Sequence, residues 1–494
     1  MLTSRRSFFR RAGLVAASAV SVPAIVRSEQ SAAAAPGARP RHIIHMVADG
    51  MSSGMLTLGD LFSRLTRQHG LRWFELTNSP DTRIAFVNMR SLNSLVTDSA
   101  AASSSWGSGS RVVNGVLNRL PDGRKLRPLY ALFAEAGWQR GLVTTTEITH
   151  ATPAGFAACT SSRESAEVIA SQYLERKVDI LLGGGQKFFD PAKRKDKRNL
   201  PAEFRAAGYT VMERASELDA AANDRRWLGI FYPSHLPFML DWQADARLRK
   251  RVPSLAAMTR RALTKLQHAD HFILQVEGGR VDHAGHANDI AAGVREMVAF
   301  DEALEICLGF QRQVPETLLI ITTDHGTANP GLNGTGAAYG QSSPLFAHTL
   351  KVTRSFESLA TDLPKAGTVA GLQALLLSGT GYQVPAAKAE LFLARLQKKS
   401  PVLYDSMNLP AVQLGQLMAN HLGVGFTSGA HTADFVPLLA VGPGSEKFRG
   451  FIQNTDVFPH YLALAGIDFR NPQVPLLAEG GPTAEEAERF RLLV

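Results

Sequence analysis

The sequence predicts an α/β protein, a three-layer αβα sandwich around a central, mostly parallel sheet, with an insertion beside it. Three observations predict this. Short apolar runs rich in β-branched residues recur from Arg41 onward, as strands buried on both faces require. Segments of helical period lie between them, which is the alternation that builds a parallel sheet covered by helices. Several runs end on an acidic residue or a histidine, at the carboxyl ends of the strands, where open α/β folds bind their ligands. The length of 494 residues allows a sizeable core, and 20% charged with 8% aromatic residues is the composition of a folded globular protein.

The chain opens with the basic stretch MLTSRRSFFRRAG, followed by the apolar LVAASAVSVPAIV and the alanine-rich SAAAAPGARP. This is the order of an export signal, and the apolar run is shorter than the roughly 20 residues that span a bilayer. Ser4-Arg5-Arg6-Ser7-Phe8-Phe9-Arg10 also resembles a twin-arginine signal. Residues 1–35 are therefore expected to be removed, leaving a periplasmic or extracellular protein. The formal charge of +9 would suit a nucleic-acid or membrane-surface partner, but that segment holds five of the arginines and one glutamate. Without it the charge is roughly +5, and neither partner is expected. Cys159 and Cys307 are too few for a disulfide framework; they could pair in an oxidising compartment, or stand as two isolated buried thiols.

The first strand run, HIIHMVAD, closes on Asp49. In LVTDSAAASSSWGSG an apolar run turns into an Ala/Ser-rich helix at Ser99, whose hydroxyl would lie at a positive helix N-terminus. Taken alone, that segment reads as a serine capping a helix. The runs RGLVTTTEI and KVDILLGGG follow; Gly183-Gly184-Gly185 lacks the Gly-Lys-Ser/Thr ending of a P-loop and reads as a turn after a strand. SLAAMTRRALTKL places Leu255, Met258, Ala262 and Leu266 on one helical stripe. HFILQVE closes on Glu277, and EGGRVDHAGH sets Asp282 and His286 on one face of a helical turn with His283 between them. TLLIITTDH closes on Asp324 and His325, and His431 follows in SGAHTADF before the last run, FVPLLAV. Between about Gly331 and Gly425 the pattern weakens into Gly, Ser, Pro and mixed polar residues. The expected organisation is core at residues 40–330, insertion at 331–425, core again at 426–470 and a tail at 471–494.

A single acid after a strand is commonly a cap or turn former, and a single His is commonly a satisfied core or surface residue. Their co-occurrence points to metal. Oxygen and imidazole donors without thiolates suit Zn²⁺ in an open catalytic site, while carboxylate and hydroxyl donors suit Mg²⁺.

The run TDSAAASSSWGSGSRVVNG resembles the nucleophile segment of alkaline phosphatases. The resemblance continues, in the family's order, through VADGM, VTTTEITHATPAG with its trailing Arg163, DILLGGGQKFF, LQVEGGRVDHAGH, TTDHG and the His431 segment. It implies the alkaline phosphatase fold with a crown-like insertion, and hydrolysis of small phosphate monoesters through a phosphoserine on Ser99. It implies one Zn²⁺ on Asp282, His286 and His431, and a second on Asp49, Asp324 and His325 joined by Ser99. One Mg²⁺ would lie on Asp49, Thr152 and Glu277. Arg163 would grip the phosphoryl oxygens, oriented by Asp98. His150 and His283 stand where some bacterial members carry Asp and Lys, which implies weaker Mg²⁺ retention. A homodimer is implied too. Three rivals stay open: a phosphodiesterase of the same superfamily, a catalytically silent metal- or phosphate-binding protein, and a sulfatase. The last is raised by Cys159-Thr160-Ser161-Ser162-Arg163, a sulfatase-like signature with Ser161 where Pro is expected.

Overall fold

The structure is a computed structural model that describes residues 39–334, 336–397 and 403–476. The proposed export signal and most of the tail lie outside the described residues. Ten strands form the main sheet: β1 (His42–Val47), β2 (Arg83–Asn88), β3 (Gln139–Glu147), β4 (Ile180–Gly184), β5 (Tyr209–Met212), β6 (Arg226–Ile230), β7 (Phe272–Glu277), β8 (Thr317–Thr322), β9 (Val436–Val441) and β10 (Gly450–Gln453). Their spatial order is β10-β2-β9-β8-β1-β7-β3-β4-β6-β5. All neighbours are parallel except β9, which runs antiparallel to both β2 and β8.

Strand periodicity decides which side chain enters which layer. In β1, Ile44 and Met46 join one core with Leu274 and Val276 of β7, Leu319 and Ile321 of β8, and the helices Ser53–Arg67, Leu255–Leu266 and Ile290–Gln313. Ile43 and Val47 join the opposite core with Ile273, Leu318, Ile320 and the helices Ser99–Ser108, Leu129–Glu135, Ala151–Ala157 and Val457–Ala465. Both faces of the sheet are therefore covered, which is why its central strands read as continuous apolar runs. Trp106, fully buried in the second core, stacks its ring edge against His45 at 4.8 Å, with Phe156 and Tyr461 around the same imidazole. Cys159 and Cys307 are both free and buried.

Register places the site. Val47 at the end of β1 pairs with Glu277 on one side and Thr322 on the other, so Asp49, Glu277 and Asp324 emerge side by side. The helix Ser99–Ser108 carries the candidate nucleophile and is buried along its whole length among small residues. It crosses the helix Ala151–Ala157 so closely that a methyl group on Gly155 would lie 2.2 Å from Ser103 Oγ, and one on Gly107 would lie 2.0 Å from the Gly155 carbonyl oxygen.

Residues 331–425 are mainly helical: Ser342–Ala347, Phe356–Ala360, Val369–Thr380, Ala386–Leu396 and Pro410–Leu422. Gly331–Leu332 pairs antiparallel with Val424–Gly425, closing the region at its base. Phe346, Phe356, Leu372, Leu414 and Met418 continue the first core.

Glu296 is buried in the helix Ile290–Gln313 and accepts a hydrogen bond from the Met239 N–H. Burial, aided by Asp241 and Glu357, pushes its pKa from 4.5 up to about 7 against the pull of that N–H and Arg280. Between these values the native state holds a proton that the unfolded chain has released, so stability falls as pH rises through this window. Glu296→Gln is expected to lose less stability between pH 5 and 9 than the parent, by on the order of 2 kcal/mol. Chemical melts at the two pH values check this.

Candidate metal and phosphate site

Asp98 caps the helix Ser99–Ser108: its Oδ1 accepts the Ala101 N–H at 2.9 Å, and its Oδ2 accepts the Gly115 N–H. Ser99 is thus the first helical residue and not the cap, which leaves its hydroxyl free for other partners. Ser99 Oγ lies 3.1 Å from His325 Nε2. The tautomer follows from the neighbours. Thr327 Oγ1 gives its proton to Asp282 Oδ1 at 2.6 Å, so its oxygen accepts from His325 Nδ1 at 3.3 Å. Nε2 is then the acceptor for the Ser99 hydroxyl.

Around that nitrogen stand Asp324 Oδ2 at 3.2 Å and Asp49 Oδ1 at 3.6 Å. Asp324 is fixed through its other oxygen, which accepts the N–H groups of Gly50 and His325. Asp49 Oδ1 and Asp324 Oδ2 are buried without hydrogen-bond partners. Two orphan carboxylate oxygens and an imidazole nitrogen facing one point fit a cation better than any protein donor nearby.

A second group lies beside it. His286 Nδ1 is 2.7 Å from the Gly429 carbonyl and His431 Nδ1 is 2.8 Å from the Thr97 carbonyl, so both rings carry their proton on Nδ1. Their Nε2 lone pairs therefore face each other at 3.0 Å, with Asp282 Oδ1 at 3.4 and 3.6 Å. Two imidazole lone pairs facing each other with no donor between them, beside a buried carboxylate oxygen, again fit a cation.

The third group contains Asp49, Glu277 and His150. Thr152 Oγ1 donates to Asp49 Oδ2 at 3.2 Å, and Glu277 is oriented by Thr144 and Thr146 through Oε2, leaving Oε1 unpartnered. His150 Nδ1 lies 3.9 Å from Asp49 and 3.8 Å from Glu277. Its Nε2 accepts from Arg163 at 2.9 Å, so the proton resides on Nδ1, and His150 faces this site as a donor and not as a ligand. Asp49, Glu277 and the Thr152 hydroxyl remain as an all-oxygen set of the kind that suits a hard cation.

Electrostatics agree with geometry. Burial first, then Asp324, Asp282 and Glu277, push the Asp49 pKa well above the usual carboxylate range. Burial works against the His325 cation, yet Asp324 and then Asp282 and Asp98 raise its pKa, a measure of how strongly this pocket draws positive charge. Four buried carboxylates this close need more compensation than Arg163 supplies.

Arg163 donates through one terminal nitrogen to Asp98 Oδ2 at 3.1 Å and through the other to His150. Burial opposes its charge, but Asp98, Asp49 and Asp282 hold it protonated. Arg163→Lys keeps the charge and loses the planar fork. A fall in kcat/KM of about a hundred-fold, with weaker inhibition by inorganic phosphate, is expected in steady-state kinetics.

All thirteen residues singled out in the sequence fall in this one region. Two were missed. His235 places its ring 4.4 Å from His283 and 5.8 Å from His150, with Nδ1 accepting the Glu147 N–H. Its loop is seated by the glycine run, since a methyl group on Gly184 would lie 2.0 Å from the Ser234 carbonyl oxygen. Arg280 bonds His283 Nδ1 at 2.8 Å. The glycine run is a hint for the loop, but nothing local marks either side chain.

Residues 40–467 match the alkaline phosphatase family model. The chain is 33% identical over 369 residues to alkaline phosphatase 3 of Bacillus subtilis, covering 73% of this chain and 75% of that one. It is 30% identical over 366 residues to streptomycin-6-phosphate phosphatase of Streptomyces griseus, covering 64% and 81%. Among solved structures, alkaline phosphatase from Thermus thermophilus superposes with a TM-score of 0.84 at 34% identity, covering 93% of this chain and 96% of that one. With the family model spanning the core and the fold matched over nearly the whole length, the chain belongs to the alkaline phosphatase family, metal-dependent enzymes that hydrolyse phosphate monoesters.

Proposed function

We propose that this enzyme works through a phosphoserine on Ser99, with two zinc ions and one magnesium ion as its cations. The observation that carries this is the hydroxyl of a helix-first serine 3.1 Å from His325 Nε2 in one acceptor set, with a second set joined to it through Thr327 and a third sharing Asp49. Asp49, Asp324 and His325 would hold one zinc, Asp282, His286 and His431 the other, and Asp49, Thr152 and Glu277 the magnesium. Bound there, such cations supply Lewis-acid chemistry that lowers the pKa of a coordinated hydroxyl and offsets charge on the ester oxygens.

The chain's own groups do the rest. Ser99 Oγ attacks phosphorus as the bond to the leaving alcohol oxygen breaks, and the alcohol departs with one proton. Water then attacks the same phosphorus, the Ser99 oxygen is released, and inorganic phosphate leaves. Two in-line displacements give net retention at phosphorus. Arg163, held by Asp98 and His150, presents its fork to the equatorial oxygens. His431 and His286, braced by backbone carbonyls, keep their Nε2 atoms aimed inward.

Small phosphate monoesters are the proposed substrates, because every group placed here addresses the phosphoryl end. Export by the twin-arginine route to the periplasm or beyond is proposed from residues 1–35, and no helix of the described residues is long and apolar enough to cross a membrane. A homodimer is supported by an uncovered apolar face at the sheet edge. There Phe86 of β2 pairs in register with Phe451 of β10, Phe435 stands edge-on to Phe451 with ring centres 4.9 Å apart, and all three are more than half exposed. Light scattering reads the mass.

The functional test measures metal content by mass spectrometry alongside hydrolysis of a chromogenic monoester and a diester. About two zinc and one magnesium per chain with a strong monoester preference is expected; a diester preference or a metal-free active enzyme would overturn the reading.

A further inference from the structure

Arg280 opens the helix Arg280–His286 and its side chain is only 3% exposed. One terminal nitrogen donates to His283 Nδ1 at 2.8 Å and the other to Glu357 Oε2 at 2.6 Å, while the guanidinium carbon lies over the Phe238 ring, 3.7 Å from its centre. Its Nε has no partner. Glu357, its direct acid partner, is 63% exposed, and Asp241 and Glu296 lie within electrostatic reach. A buried cation held this way is costly, and an apolar side chain would fill the space more cheaply. The arrangement makes sense if the fork is needed for placement: planar, with two donors spaced for two different acceptors, which Lys cannot reproduce.

What it joins is informative. Glu357 lies in the first turn of the helix Phe356–Ala360, inside the 331–425 region. That turn is pinned: Asp289 Oδ2 accepts the Phe356 N–H at 2.7 Å, and Asp241 accepts both the N–H and the hydroxyl of Ser355. On the other side, His283 stands edge-on to His150 with ring centres 5.7 Å apart. His150 in turn touches Arg163 and approaches Asp49 and Glu277. A continuous set of contacts thus runs from a fixed point in the inserted region to the third cation set and to the phosphate fork.

We propose that Arg280 is a positioning residue through which the 331–425 region fixes the His283–His150 pair, and thereby sets Mg²⁺ retention and phosphate affinity. This rests on the assignment of Asp49, Glu277 and Thr152 as the Mg²⁺ set. The full chain is tested as Arg280→Lys, Glu357→Gln and, as control, Glu277→Gln. Mg²⁺ retained after dialysis is read by mass spectrometry, the inhibition constant of inorganic phosphate by kinetics, and folding by thermal melts. Arg280→Lys is expected to weaken Mg²⁺ binding about ten-fold and to raise the phosphate inhibition constant. Glu357→Gln, at an exposed side chain and keeping an acceptor oxygen, is expected to shift both in the same direction by less. Loss of Mg²⁺ retention in variants whose metal-free melting temperature matches the parent separates positioning from a merely structural role. If Arg280→Lys fails to fold, Glu357→Gln decides. If Glu277→Gln abolishes Mg²⁺ retention while the folded Arg280 and Glu357 variants match the parent, this inference alone is overturned. If Glu277→Gln itself leaves retention unchanged, the Mg²⁺ set is misassigned and the inference falls with it.

Discussion

Ser99→Ala is expected to abolish the covalent phosphoenzyme and to lower turnover by at least about a thousand-fold. The size follows from the number of arrangements that converge on one oxygen. Asp98 takes the capping role that would otherwise occupy the serine, and Thr327 fixes the His325 ring so that its Nε2 faces Ser99 Oγ at 3.1 Å. The neighbouring hydroxyls of Thr152 and Thr327 give their protons to Asp49 and Asp282. The variant should fold as the parent does, because Ser99 is one small residue in a helix already built from Ala and Ser. Rapid-quench labelling with a radioactive monoester, followed by peptide mapping, reads the intermediate. A stable phosphoenzyme in the Ala variant would sink the nucleophile assignment.

Asp49→Asn is expected to cost about a hundred-fold or more in turnover by a different route. Asp49 faces two acceptor sets at once, Oδ1 toward Asp324 and His325, and Oδ2 toward Thr152 and the Glu277 side. An amide can offer one oxygen but not two, and it carries no charge, so both sets should bind their ions less tightly. Chelator treatment of the parent should produce the same loss and a lower melting temperature, because the remaining carboxylates repel one another when nothing neutralises them. Adding back zinc and magnesium should restore the parent fully and the variant only in part. Equal metal content and equal rates in the two proteins would count against the bridging role.

The sequence carried the site better than the scaffold, for a physical reason. A ligand at the end of a buried parallel strand follows a continuous apolar run, so Asp49, Glu277 and Asp324 each came with a local flag, and register then aligned them. Strands β2, β5, β6 and β10 carried weaker flags. β2 is half exposed, with Ile84 and Phe86 facing outward on an uncovered sheet face, so its apolar content does not report burial in the usual way. The five helices between residues 331 and 425 were not legible as helices. Val369–Thr380 is apolar nearly throughout but buries only Leu372, Leu376, Gly379 and Thr380, which blurs the period that marks an amphipathic helix. The segment around Ser99 on its own favoured a capping serine; Asp98 is the cap, a choice made by the Ala101 and Gly115 N–H groups. Arg280 and His235 act only through tertiary contacts, for which no spacing rule exists.

The close crossing of the helices Ser99–Ser108 and Ala151–Ala157 gives the enzyme a ruler. The first helix begins with the proposed nucleophile and the second begins beside His150 and carries Thr152, so the gap between serine and proposed third cation set is fixed where the two backbones touch. Gly107 and Gly155 set that gap by what they lack. A single methyl group at either position would force the two helices apart and lengthen the ruler.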